Sequence, residues 1–286
     1  MPPSFLDQIN SNCPSRGKPL AFITGATGGI GYKAAQLFSE KGYALWLTGR
    51  DKERLKEIAQ QYDTYRYTAA DFTRPKHVKA LCSVISNSDH PISIAFLNAG
   101  MIKPGSLIDL SYDDIETHFN VNLIAASHLN KAVAKRMIAE KNGYIINNLS
   151  TSAFVSLPLS APYSATKFGL RGLLTALRGE LAPYNISMTS LYSNAVDTPM
   201  LEYEAKNGGT PLNFLKPPLS VDDIIHVLDR ALIEKKESYF IPKGDGFLAR
   251  LIAIFPSIAR MRYQKWSKIG EKGRKDYLDK KTPKLD

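Results

Sequence analysis

The sequence predicts an α/β fold, a doubly wound parallel sheet of about seven strands with helices on both faces. Three observations predict it. Short, nearly continuous apolar runs of strand length alternate with helical patterns along most of the chain. The first of these runs feeds directly into a glycine-rich turn. A length of 286 residues with 44% apolar content suits one large α/β domain with a full core.

Residues 1–18 read as a polar lead-in. Pro19–Thr24 is a first buried strand, and Gly25-Ala26-Thr27-Gly28-Gly29-Ile30-Gly31 follows it. The helical pattern of Ala34, Ala35, Leu37 and Phe38 comes next. A glycine turn between strand and helix lets backbone amides and the helix N-terminus approach a phosphate. Tyr43–Thr48 is a second strand, 51–62 a polar helix, and Thr64–Ala69 a third strand ending at Asp71-Phe72. Helix 73–88 leads to the strand Ile92–Leu97, which ends in Asn98-Ala99-Gly100. One long helix is expected over 111–140, then strand Tyr144–Leu149, helix 160–183, strand Ile186–Leu191, helix 221–235 and a last strand at Tyr239–Ile241. Residues 198–220 have the glycine, proline and apolar content of a mobile lid.

Composition excludes several classes. Charged residues make up 22% of the chain, ordinary for a globular protein, and no apolar run reaches the length of a membrane span. Met1-Pro2-Pro3-Ser4 carries no basic segment followed by an apolar core, so a cytoplasmic location is expected. Cys13 and Cys82 lack metal-ligand spacing and are expected to be reduced and structural. The five histidines are scattered, so no metal site is expected. Twelve basic and five acidic residues lie between Lys243 and Asp286, an excess of +7 within a net charge of +10.

Chemistry concentrates in Ser160-Ala161-Pro162-Tyr163-Ser164-Ala165-Thr166-Lys167. It reads as the opening of a helix, with Ser160 as cap and Pro162 tolerated in the first turn. Tyr163 and Lys167 are then i and i+4 on one face. A phenol ionises near pH 10, and a neighbouring ammonium favours its phenolate, so the pair forms a proton-transfer device.

The glycine turn, Asn98-Ala99-Gly100, Asn122, Ser150 and Tyr163-x-x-x-Lys167 occur in this order, with Ser150 thirteen residues before Tyr163. On these motifs the chain resembles the short-chain dehydrogenase/reductase family over roughly residues 18–243. The resemblance implies a Rossmann-type fold with a catalytic domain over 19–245 and a C-terminal extension over 246–286. It implies that Tyr163 exchanges a proton with a carbonyl or alcohol oxygen, that Lys167 lowers the tyrosine pKa and binds the nicotinamide ribose, and that Ser150 bonds the same substrate oxygen. Asn122 would hold a water in a proton relay. Gly25, Thr27, Gly28, Gly29, Ile30 and Gly31 would meet the pyrophosphate, Asp71 and Phe72 the adenine, and Val196 and Thr198 the nicotinamide amide. Asn98, Ala99 and Gly100 complete the cofactor set, Asn98 by stabilising the central strands. A homodimer or homotetramer built on helices 111–140 and 160–183 is also implied.

Other residues near these motifs have plainer readings. Ser152 reads as a loop residue, Lys33 as a solvated helix residue, and Asp71 as a cap as well as a contact. Where the family usually carries Pro-Gly, the chain has Ser193-Asn194, which puts that loop's rigidity in question. An acid usually holds the ribose 2′-OH at the end of the second strand, but here Thr48-Gly49 is followed by Arg50, suited to a 2′-phosphate. NADP(H) is therefore expected over NAD(H), with Asp51 as the competing reading. Phe154, Val155, Leu157, Pro158 and Leu159 form a candidate apolar wall, pointing to a lipophilic carbonyl substrate such as an acyl, steroid-like or other apolar ketone. The competing functions are a catalytically quiet dinucleotide-binding regulator and a membrane-tethered interaction protein. Nucleic acid is not expected, because no binding motif is present.

In the extension, Leu248, Ile252, Phe255, Ala259, Tyr263 and Trp266 fall on one side of a helix that Pro256 should kink or split. Three fates suit such a face: the substrate cleft, a partner subunit or an anionic membrane. The basic excess and Trp266 lead to an expectation of salt-sensitive attachment to anionic vesicles, lost on deletion of 246–286.

Overall fold

Every residue of β2 (Leu20–Thr24) and β3 (Ala44–Gly49) is buried, because helices cover both faces of the sheet they centre. The computed structural model describes residues 8–9 and 17–282; Cys13 and most of the lead-in lie outside the described residues. The remaining strands are β1 (Gln8–Ile9), β4 (Thr64–Ala69), β5 (Ile92–Leu97), β6 (Gly143–Ser150), β7 (Ile186–Ser193) and β8 (Ser238–Ile241). They form one sheet in the order β1-β4-β3-β2-β5-β6-β7-β8. Seven strands are parallel, as a chain alternating strand with helix requires, and β1 adds an antiparallel edge from within the lead-in.

Side-chain alternation splits the core. Phe22 and Trp46 face α3 (Pro75–Ser86), α5 (Ala126–Glu140) and α6 (Ala161–Leu181). Ile23 and Leu45 face α1 (Gly29–Glu40), α2 (Lys52–Gln61) and α8 (Val221–Glu234). Phe22 and Trp46 meet edge to face at 5.3 Å, a favoured aromatic geometry. Asp51 caps α2 by accepting from the Arg54 amide at 2.9 Å, and Ser220 with Asp223 forms a reciprocal cap on α8.

The expected helix 111–140 is present from Tyr112 to Glu140, but not as one uniform α-helix. It runs as α4 (Tyr112–Phe119), a π-turn over Asn120–Ala125, then α5. The wider turn holds Asn122, whose carboxamide accepts from the Met101 amide at 2.9 Å and donates to the Met101 carbonyl at 2.8 Å. Ser160 stands at the N-cap of α6, but its hydroxyl does not cap the helix and is buried without a hydrogen-bond partner among the described residues. The lid is not an irregular loop. It contains α7 (Pro199–Lys206), capped by Thr198, and a 3-10 turn at Pro211–Phe214 capped by Thr210.

Pro256 splits the extension into α9 (Asp245–Ile254) and α10 (Pro256–Lys281). The second helix straps the lid. Tyr277 donates to Asp197 at 2.7 Å, Lys281 pairs with Asp197 at 2.8 Å, and the Phe214 and Tyr277 rings lie 5.3 Å apart. Glycine permits the approach: a Cβ on Gly270 would stand 2.1 Å from the Pro211 carbonyl oxygen, and one on Gly273 2.2 Å from that of Phe214. Gly273→Ala is therefore expected to destabilise the docking of α10 by about 1–3 kcal/mol, the range for overpacking. Amide hydrogen exchange across 256–281, alongside chemical denaturation, checks this; unchanged protection would mean that the helix tolerates the added methyl.

Candidate active site

The sheet order reverses at β2, which pairs with β3 on one side and β5 on the other. A crevice opens at the carboxyl ends of such strands. The glycine turn leaves β2 there, with Gly25 at φ +68°, a conformation glycine adopts without steric cost. Gly31 serves the turn from behind: its Cβ would stand 2.1 Å from the Gly25 carbonyl oxygen, so only glycine lets α1 close against the turn. Asn98 bridges the seam. Its amide and that of Ala99 donate to the Thr24 hydroxyl at 2.8 and 2.9 Å, its side chain donates to the Thr24 carbonyl at 3.2 Å, and Asn148 donates to its carboxamide oxygen at 2.9 Å.

From this crevice a cavity of about 1550 Å³ extends under the lid and the extension. Drug-sized ligands fill roughly 300–1,000 Å³, so this volume suits a dinucleotide and a second molecule together. Thr27, Gly28, Gly29 and Ile30 line one end with Gly25, Arg50, Asp71 and Phe72. Asn98, Ala99, Gly100, Val196 and Thr198 line it too, as do Ser150, Tyr163 and Lys167. Gly31 and Asn122 are not among the lining residues. Asn122 stands behind the wall, its carboxamide engaged by Met101, and a Cβ on Gly100 would lie 3.4 Å from its oxygen and 3.7 Å from the Lys167 ammonium.

The glycine end fits a nucleotide's phosphates, because α1 begins at Gly29 and presents its unpaired amides to the cavity. Lys167 fits a polar ligand group. It is 5% exposed, lines the cavity, and pairs with no carboxylate among the described residues. Asp71 lines the wall while its carboxylate accepts from the Thr73 amide at 3.0 Å and hydroxyl at 2.8 Å. Burial pulls its pKa upward, but those hydrogen bonds and the charges of Arg50 and Arg74 outweigh it and leave the pKa lowered. Arg50 is exposed at the cavity rim, and Asp51 is turned to its helix cap. Lys33 pairs with Asp222 at 3.7 Å and does not line the cavity.

Burial, not charge, dominates the proton-transfer pair. It lifts the Tyr163 phenol above its ordinary value; the Glu204 carboxylate adds to the rise, and a hydrogen bond with Ser150 opposes it. The depression expected from Lys167 does not prevail, since the ammonium stands over the tyrosine ring, 5.3 Å from its centroid. Burial also lowers the Lys167 pKa to about 8. The Ser150 hydroxyl is oriented by Ser152, accepting from its amide and donating to its hydroxyl, both at 3.1 Å. Ser152 is thus a buried positioning residue as well as a loop residue.

Asn194 replaces rigidity of the backbone with a side-chain clamp. Its carboxamide accepts from Thr151 at 2.9 Å and donates to Asp245 at 2.5 Å, while Asp245 also pairs with Lys216 at 3.0 Å. Of the candidate apolar wall, Phe154, Val155, Leu157 and Pro158 line the cavity and Leu159 does not. Leu248, Ile252, Ala259, Tyr263 and Trp266 of the extension line it too, so this face turns to the cleft; Phe255 lies outside, 52% exposed. Sequence reasoning missed Glu204, which lines the cavity from α7 at 7% exposure. Its spacing carried a signal: it shares a helical face with buried Leu201 and Ala205.

Comparison with known proteins agrees with this geometry. The sequence profile of the short chain dehydrogenase family matches residues 19–208. An uncharacterized oxidoreductase of Staphylococcus epidermidis is 32% identical over 184 residues, 64% of this chain and 80% of the relative. One from Staphylococcus aureus is 30% identical over 181 residues, 63% of this chain and 78% of the relative. A short-chain dehydrogenase from Sphingobium yanoikuyae, solved in complex with NADPH, superposes with a TM-score of 0.72 at 26% identity, covering 86% of this chain and 95% of its own. The chain belongs to the short-chain dehydrogenase/reductase family. It is accordingly an oxidoreductase of the NAD(P)-dependent class acting on CH–OH and C=O groups.

Proposed function

We propose that the protein is an NADP(H)-dependent reductase of lipophilic ketones. The observation that carries this is the continuity of one cavity, from the glycine turn and Arg50, past Ser150 and Tyr163, to the apolar residues of α9 and α10. The bound nicotinamide would supply the hydride that converts a carbonyl carbon to a carbinol carbon. Ser150 would hold the carbonyl oxygen by a hydrogen bond that strengthens as negative charge develops there. Tyr163, its phenol kept neutral by burial, would give that oxygen its proton. Lys167 would bind a ribose hydroxyl and return a proton to the phenolate. Asn122 would act from behind the wall by fixing the Met101 loop.

Residues 19–245 would form the catalytic unit, with lid 198–220, and 246–286 the segment that closes its substrate end. The fold reading favours a homo-oligomer on the helices over 111–140 and 160–183, working in the cytoplasm. Among the described residues no helix is long and apolar enough to cross a membrane. A peripheral contact remains a second proposal, favoured by one observation: Phe247, Ile254 and Met261 are 77%, 69% and 81% exposed around the α9–α10 junction. Arg260, Arg262 and Lys265 follow nearby without ion-pair partners among the described residues, so an anionic surface would match the charge.

Kinetic, cofactor-binding and vesicle measurements test these readings. Tyr163→Phe should cut ketone-dependent NADPH oxidation by at least about 100-fold with cofactor affinity nearly intact, since only the acidic hydroxyl is removed. In the wild type, reduction should decline as pH rises past about 8, where Lys167 loses its proton. Absence of turnover across a panel of apolar ketones, with NADPH bound, would favour the quiet-regulator reading. Arg50→Ala should remove most of the preference for NADP(H) over NAD(H), as one charge-assisted contact is worth about 1.5–3 kcal/mol. Unchanged discrimination in cofactor titrations would assign the phosphate to another residue. The full chain should co-sediment with anionic vesicles at low salt, and a Phe247→Ser, Ile254→Ser double variant should not. Failure of the wild type to co-sediment removes the membrane contact.

A further inference from the structure

Beyond Tyr163 the cavity wall is largely apolar, formed by residues such as Leu212, Leu215, Ile252 and Trp266. Glu204 interrupts it. Its side chain lies between buried Leu201 and Ala205 on the inner face of α7, where a leucine would pack without electrostatic cost. No lysine or arginine pairs with it among the described residues. Among the described residues the carboxyl has a single hydrogen-bond partner, Asn213, whose side-chain nitrogen donates to Oε1 at 3.0 Å. Asn213 also lines the cavity, from the 3-10 turn that α10 holds in place. Glu204 Oε2 and the Asn213 carboxamide oxygen have no partner among the described residues, so the pair offers free acceptors inside an apolar chamber.

We infer that Glu204, held by Asn213, takes a hydroxyl group of the substrate, so that the protein acts on apolar ketones that also bear a hydroxyl; this rests on the reductase reading. Three features fix the chemistry. A carboxyl at 7% exposure with an oxygen open to the cavity carries a desolvation cost that a bound donor offsets. Burial raises its pKa to about 7, so near neutrality it both donates and accepts, as a hydroxyl does. Glu204 and Tyr163 line the same cavity, and the Glu204 charge raises the Tyr163 pKa, so the subsite and the reacting end share one chamber. An ammonium group fits less well, because Lys167 lines the same cavity and the chain carries a net charge of +10.

The test uses matched pairs of apolar ketones, each a hydroxyketone and its analogue without the hydroxyl. The hydroxyl moves stepwise away from the carbonyl between pairs, and the best-discriminated pair is the one compared throughout. For the wild type kcat/KM should favour the hydroxyketone about tenfold or more, the discrimination a buried hydrogen-bonding group provides. Glu204→Leu should reduce that ratio to near one, and Glu204→Gln, which keeps an acceptor, should retain part of it. NADPH titration of each variant reports whether it is folded. Should the leucine variant fail to fold, the glutamine variant and Asn213→Ala, each lowering the ratio, carry the test. Calorimetric binding of both ketones to the NADP⁺-saturated protein separates the two readings. Preferred binding of the hydroxyketone without any turnover sinks the reductase reading alone. Normal turnover with equal binding of both ketones, or the same ratio in Glu204→Leu, sinks the subsite alone. Stronger selection of the matching aminoketone overturns the hydroxyl assignment.

Discussion

The crevice between β2 and β5 is the constraint on which the rest of the structure depends. The chain leaves these neighbouring strands towards opposite sides of the sheet, so no backbone fills the gap beyond their carboxyl ends. The gap must nonetheless be held at a fixed width. Asn98 does this with three hydrogen bonds that tie β5 to β2 and to β6, and the Ala99 amide adds a fourth to Thr24. A parallel sheet offers its polar strand ends few other partners, so a carboxamide that both donates and accepts is well suited to the seam. The glycine turn, the Tyr163 helix and the lid are all arranged around an opening whose dimensions this residue helps set.

The crevice becomes a chamber through the extension. Its apolar face would be costly in water, and it is turned inward, where it lines the cavity together with Leu212, Leu215 and the wall after Ser150. Glycines at 270 and 273 remove the side chains that would keep α10 away from the lid backbone, and Asp197 supplies a charged anchor at its far end. At the near end Asn194 reaches Asp245, the first residue of α9. The substitution of Ser193-Asn194 for the family's usual pair thus connects two features that look separate in sequence. The loop is fixed by a side chain whose partner belongs to the extension.

What the sequence made legible follows from how local its physics was. Strands buried on both faces appear as unbroken apolar runs, and the Tyr163–Lys167 spacing needs only one helix. The π-turn was not legible, because Phe119, Asn120, Ala125 and Ala126 at its ends keep α-helical dihedrals and the partner of Asn122, Met101, lies far away in sequence. Ser160 has the right chemistry for a cap, but its hydroxyl is turned away and buried, an outcome that tertiary packing decides. The extension's apolar stripe was visible, whereas its destination was not: a helical face records that something will cover it, not what.

Burial also reverses an electrostatic expectation at the centre of the site. At the surface an ammonium one turn away would favour a phenolate. Deep in the molecule both charged forms lose hydration, so the phenol is pushed up while the amine is pulled down, and each group moves towards neutrality. A neutral phenol is a proton donor in waiting, which suits delivery to an oxygen that becomes basic only as hydride arrives. The same low-dielectric surroundings make the Glu204 charge felt at Tyr163. A substrate group that neutralises or hydrogen-bonds Glu204 would remove part of the opposition to phenolate formation. Substrate recognition and proton transfer would then be coupled through one carboxyl on the lid.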